Sequence, residues 1–176
     1  MSLDQDIALL SRVGLFQGFT PEQLRLIAFG AEREKLHAGQ MLYRERETAN
    51  GGYVVAYGHI DLLLSKGRRE IALESVTEGG LVGEMALITA NRRSTDAIAR
   101  TDSEVLYIPR ALFHRLLREY PETAAFLHGR IAQAVRRLMK QIEEINGKLG
   151  IISPLMKPQG LENSSRADTG EPDGDG

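Results

Sequence analysis

Hydrophobic positions change rhythm three times along the chain. Leu3, Ile7, Leu10 and Val13 recur at helical spacing, which predicts a short amphipathic helix over residues 3–13, ended by Gly14. A second helix is announced by Thr20-Pro21-Glu22-Gln23. Thr20 suits an N-cap, Pro21 the first helical position, and Gln23 the reciprocal capping position. Leu24, Ile27 and Ala28 form its apolar stripe, and it runs to about Gly30. From Glu32 to about Ile108 the runs become short, often alternating, and broken by glycine. They predict strands at 32–36, 40–43, 51–57, 60–65, 70–76, 81–83, 95–100 and 104–108. Short strands at this spacing argue for a compact sandwich or barrel. One insert, residues 84–88, has the composition of a single helical turn. After Pro109 the period returns to helical, first over 110–118 and then over 121–148. In the longer segment Ala124, Leu127, Ile131, Ala134, Val135, Leu138, Ile142, Ile145 and Leu149 make a stripe that needs a partner. Residues 157–176 are rich in Gly, Pro, Ser, Asp and Glu and are expected to be a disordered acidic tail. The expected organisation is N-terminal helices (1–31), a β-region (32–108), two C-terminal helices (109–149) and a tail (150–176).

Composition narrows the function classes. The chain has 176 residues, 42% hydrophobic, which suits one domain with a real core. A formal charge of -2 does not suggest a general nucleic-acid binder. There is no cysteine, so disulfides, thiolate metal sites and a cysteine nucleophile are excluded. No basic leader and no run near 18 apolar residues is present, so a cytoplasmic protein without a membrane anchor is expected. His37, His59, His114 and His128 lack metal-ligand spacing and read as surface or edge residues; no metal is expected. Ser11, Ser65 and Ser75 sit in no nucleophile motif. Arg68-Arg69-Glu70 reads as a hairpin turn, and Arg130, Arg136, Arg137 and Lys140 as a solvated face.

The chemistry concentrates in residues 80–95. Gly80 and Gly83 permit tight backbone geometry ahead of the helical turn, whose first N–H groups form an anion site. Arg93, nine residues after Glu84, offers a planar guanidinium for a phosphate. Arg92 beside it faces solvent and adds positive potential. Glu84 is acceptor-only and suits a sugar hydroxyl. Ser94 adds a hydroxyl and an N–H. Together these groups describe a sugar-phosphate site. The spacing equally admits an internal ion pair between Glu84 and Arg93.

Val82-Gly83-Glu84-x-Ala86-Leu87 followed by Arg93-Ser94-Thr95 resembles the phosphate-binding cassette of cyclic-nucleotide-binding domains, in its bacterial Crp/Fnr-type form. The resemblance spans about residues 5–148, including Leu15-Phe16 and the strand Glu104-Val105-Leu106-Tyr107-Ile108. It implies a mainly β fold, an eight-stranded jelly-roll β-roll with flanking helices and a long C-terminal helix. It implies that Gly83 and Glu84 meet the ribose 2′-hydroxyl and that Arg93 pairs with the cyclic phosphate. Ser94 and the backbone of Ala86 would complete the cradle, with Met85 and Thr95 also at the ligand. The ligand would be cAMP or cGMP, with no other cofactor and no catalysis, because the cradle lacks a metal ligand or general base. Three departures stand out. Arg46 occupies a turn where the family often has glycine; an arginine forced to positive φ there costs about 1 kcal/mol, as strain set apart from the pocket. Leu138-Met139 stand where some bacterial cAMP receptors place Thr-Ser, so an apolar base cap is implied that reads no base edge. No helix-turn-helix follows the long helix, so direct DNA binding is not expected. Output would pass through the long helix to an unknown protein partner or a parallel homodimer. The competing reading is a degenerate fold that serves protein interaction without ligand.

Overall fold

The structure, a computed structural model, describes residues 2–66 and 69–152, with backbone alone at 65, 66, 69 and 145–152. The expected acidic tail at 157–176 and Arg68 of the expected hairpin turn lie outside the described residues. Arg69 and Glu70 belong to a strand rather than a turn, because pairing runs down to Lys66↔Arg69.

Helix α1 (Leu3–Ser11) starts on a capping box between Ser2 and Gln5, which the sequence reading passed over. A single 3-10 turn (Gly14–Phe16) follows. Helix α2 (Pro21–Gly30) begins on the expected Thr20–Gln23 box. The β-region holds β1 (Glu32–Leu36), β2 (Met41–Tyr43), β3 (Thr48–Ala49), β4 (Gly51–Tyr57), β5 (Ile60–Lys66), β6 (Arg69–Val76) and β7 (Leu81–Val82). Helix α3 (Met85–Ile88) then precedes β8 (Asn91–Arg92), β9 (Asp96–Ala99) and β10 (Ser103–Pro109). Helices α4 (Arg110–Glu119) and α5 (Pro121–Ile152) end the described chain. The helix runs past the expected limit near 149, as the continued apolar spacing of Leu149 and Ile152 allows.

All strand pairs are antiparallel. One sheet has the order β1-β10-β4-β7, the other β2-β9-β5-β6, and β3-β8 form a two-stranded patch. The eight expected strands are all present. The two additions, β3 and β8, have two residues each, too short to show alternation.

The period of two along β4 and β10 separates two cores. Val54, Ala56, Leu106 and Ile108 face the helices, joining Leu9, Leu10, Phe16, Ile27, Phe113 and Leu116. Val55 and Val105 face the roll interior, joining Leu36, Tyr43, Ile60, Val76, Val82, Ala97 and Ala99. Tyr53 and Tyr107 share the parity of Val55 and Val105. Arg33 of β1 ties the roll to α1, pairing with both Asp6 and Glu104. Arg130, expected in a solvated cluster, instead donates to the carbonyls of Gln17 and Gly14 at 3.2 and 3.0 Å.

The chain divides into two units after Ile131. From Ala132 to Ile152 the second is continuous helix, with Val135, Leu138, Met139 and Ile142 exposed. Among the described residues no helix is long and apolar enough to cross a membrane.

Candidate functional site

The segment between β7 and β9 builds its geometry from one glycine. Gly83 has φ +71°, a conformation that admits glycine with little strain. It reverses the chain so that Glu84 can open α3 with no side-chain cap. Gly83 and Glu84 carbonyls accept from Ala86 and Leu87 N–H at 3.1 and 3.0 Å. Ala86 therefore offers its N–H to a ligand only by sharing it. Ala86 and Leu87 are buried, whereas Glu84, Met85 and Ser94 are exposed. Among the described residues, the Glu84 carboxylate has no hydrogen-bond or ion-pair partner.

Arg93 is the centre of the site. It is only 7% exposed. Its Nη2 donates to the Gly51 carbonyl at 2.8 Å. Its Cζ lies 4.2 Å from the Tyr43 ring centroid and 5.4 Å from that of Tyr53. Its Nη1 is buried and has no hydrogen-bond partner. A Cβ built on Gly83 would overlap that Nη1, so glycine is what lets the guanidinium edge reach the α3 loop. Two other buried atoms lack partners among the described residues, Asp61 Oδ1 and Asn91 Oδ1. Both are acceptors; Arg93 alone of the three is a cationic donor and calls for an anion.

The ion pair between Glu84 and Arg93 that the spacing admitted does not form; Arg93 hydrogen-bonds to Gly51 and stacks on Tyr43. Thr95 is buried. Arg92 is exposed and donates to the Arg46 carbonyl at 3.1 Å. Leu138 and Met139 are more than half exposed in the unit that starts at Ala132.

Arg46 has φ +68°, and among the described residues no other non-glycine has positive φ. The strain is where the sequence put it, but it is not set apart from the cassette. Arg46 N–H donates to the Arg93 carbonyl at 2.8 Å, and Arg93 N–H donates to the Glu47 carbonyl at 2.9 Å. The turn grips the backbone of the arginine at the centre of the site.

Four side chains were given no role at the site from the sequence. Tyr43 and Tyr53 hold the guanidinium, and Tyr53 in turn packs on Tyr107 with centroids 5.1 Å apart. Burial, aided by Glu34, pushes the Tyr53 hydroxyl up to about 12, so the ring stays neutral beside Arg93. His114 and Arg110, one turn apart on α4, hold the far end of α3. His114 Nε2 is 3.1 Å from the Ile88 carbonyl, and Arg110 donates to the Ala49 and Thr89 carbonyls at 2.9 and 3.4 Å. His114 is thus tied to α3 rather than a free surface residue.

Residues 33–120 match the family model for the cyclic nucleotide-binding domain. A solved cyclic nucleotide-binding-like protein from Brucella abortus is 45% identical, covering 65% of this chain and 99% of that one, with a TM-score of 0.60. The N-terminal domain of a transcriptional regulator from Streptomyces coelicolor is 25% identical over 76% of this chain and 94% of its own, with a TM-score of 0.71. A lysophospholipase nte1 from Aspergillus fumigatus is 30% identical over 136 residues, 77% of this chain and 9% of that protein. This chain thus spans less than a tenth of that relative's length. With a match over half its length, on the segment that carries the Gly83 loop and Arg93, the chain belongs to the cyclic nucleotide-binding domain family.

Proposed function

We propose that this chain is a regulatory module that senses cAMP or cGMP, with Arg93 on the cyclic phosphate and Glu84 on the ribose 2′-hydroxyl. The observation that carries the reading is the Arg93 guanidinium, buried with an unpartnered Nη1 and, among the described residues, no carboxylate paired with it. A cyclic phosphate supplies one negative charge and in-plane acceptors, which is what that edge lacks. Glu84 is exposed and, among the described residues, unpaired, as a hydroxyl acceptor must be. Gly83, Met85, Ala86, Ser94 and Thr95 form the rest of the cradle. The reading is non-catalytic, since neither a metal ligand set nor a nucleophile accompanies these groups.

Transmission runs from α3 into α4 through the His114 and Arg110 bonds to the α3 carbonyls. A ligand that favours one position of α3 shifts α4 by its differential affinity for the two states. The exposed Val135, Leu138, Met139 and Ile142 of the long helix are the surface for output, to a second copy or another protein. Family relatives named as transcriptional regulators support a regulatory role.

The test is calorimetric titration with cAMP and with cGMP, with Arg93→Ala alongside. Micromolar binding of either, about -8 kcal/mol, that is lost in the variant supports the reading and sets the base preference. A folded wild type that gives no heat with either ligand replaces it with the degenerate interaction module.

A further inference from the structure

Buried arginines are usually fixed by carboxylates, and Arg93 is fixed by aromatic faces. The difference has a chemical consequence. A carboxylate occupies the in-plane N–H groups of a guanidinium, which are the groups an incoming phosphate needs. An aromatic ring engages the π face and leaves that edge unspent. Tyr43 lies 4.2 Å from the Arg93 Cζ, is 7% exposed, and sits on β2 in the roll interior. Burial raises the Tyr43 hydroxyl, and Thr95, two residues beyond Arg93 on the same chain segment, partly offsets that rise together with Arg93. Tyr53 packs on Tyr43 with centroids 6.1 Å apart and adds a second ring, 5.4 Å from the same Cζ. Gly51 takes Nη2. Ring, carbonyl and backbone clamp together leave Nη1 as the one guanidinium nitrogen that is buried without a partner.

We propose that Tyr43 is the positioning residue for Arg93: its ring sets the plane of the guanidinium so that the Nη1 edge is presented, unpaired, to an anionic ligand at the Gly83 loop. This rests on the cyclic-nucleotide reading and adds the group that orients its phosphate anchor.

The experiment uses the full chain with Tyr43→Phe, Tyr43→Leu and Tyr43→Met. Two quantities are read: affinity for cAMP and cGMP by calorimetry, and hydrogen exchange of the Arg93 guanidinium by nitrogen-15 NMR without ligand. Tyr43→Phe keeps the face and stays within about threefold of wild type on both readouts. Tyr43→Leu weakens binding about tenfold, the size of one cation–π contact, and exposes the guanidinium to faster exchange. Tyr43→Met, which keeps apolar volume without a ring, behaves as Leu and replaces it if Leu fails to fold. Equal losses in Phe and Leu, unchanged binding in Leu and Met, or unchanged guanidinium exchange there would each overturn the proposal. A wild type that binds neither nucleotide overturns the functional reading. The exchange measurement, made without ligand, still shows whether the ring holds Arg93, so the two failures are told apart.

Discussion

Arg33 and Arg93 are both tucked against the β-roll, and they are compensated in opposite ways. Arg33 pairs with two carboxylates, Asp6 from α1 and Glu104 from β10, and its side chain is 25% exposed. Arg93 is buried more deeply, yet it has a carbonyl, two tyrosine faces and no acid. Desolvating a cation costs several kcal/mol unless a counter-charge stands by. Arg33 has its counter-charge within the chain and joins a helix to a sheet. Arg93 has none among the described residues, which is why the proposed reading takes its anion from a ligand. Burial alone would have ranked the two the wrong way round for function; what separates them is which partner is missing.

The sharpest way to break that comparison is to remove each arginine in turn. Arg93→Ala is expected to weaken cyclic-nucleotide binding by more than about 100-fold, since charge-assisted bonds to the phosphate are lost. Thermal stability should move by only about 1 kcal/mol, because the deleted cation was itself incompletely paired. Arg33→Ala should do the reverse. It strands Asp6 and Glu104, both mostly buried, and should cost about 2 kcal/mol by urea denaturation while binding stays near wild type. If both variants lose binding alike, the division between a structural and a ligand-facing arginine is wrong. Glu84→Ala comes next in size. Its exposed, unpaired carboxylate contributes nothing measurable to folding, so stability is unchanged, while loss of one hydroxyl contact weakens binding about tenfold in the same titration. A variant that binds as wild type would remove Glu84 from the site.

The same contrast shows what a linear sequence can carry. The expected strands and helices were legible because Val54, Val55, Leu106 and their neighbours obey a period of two that burial enforces on both sides of β4 and β10. Glu84 and Arg93 stood out because they fall nine positions apart in one continuous segment around α3, which can be read without any long-range topology. Tyr43 and Tyr53 were not. An aromatic in a strand reads as core, and both tyrosines are partly or wholly core here. Their contact with Arg93 appears only when β2 of one sheet, β4 of the other and the segment after β8 converge, which depends on tertiary packing rather than spacing. Strands β3 and β8 escaped because two residues show no period. The ties of Arg110 and His114 to α3 escaped because their acceptors are backbone carbonyls, which no side-chain pattern announces.

Arg46 gives the smallest effect and the finest test of how the two halves of the site are held. At φ +68° a residue with a Cβ carries strain of about 1–2 kcal/mol, which glycine would relieve. Glycine also enlarges the unfolded ensemble, at a cost of about 0.4–1 kcal/mol. The side chain contributes little, being exposed, with its Nε 3.6 Å from Glu45 Oε1. Arg46→Gly should therefore stabilise the fold by roughly 0.5 kcal/mol, read as a small rise in the denaturation midpoint at unchanged slope. Both backbone bonds of the clamp, Arg46 N–H to Arg93 and Arg93 N–H to Glu47, survive the change. Nucleotide affinity should accordingly stay within about twofold of wild type. Arg46→Pro removes the Arg46 N–H and forbids positive φ. It should lose the clamp and weaken binding, even where the protein still folds. Should Arg46→Pro bind as tightly as Arg46→Gly, the turn is only a connection, and Arg93 is held by Tyr43 and Gly51 alone.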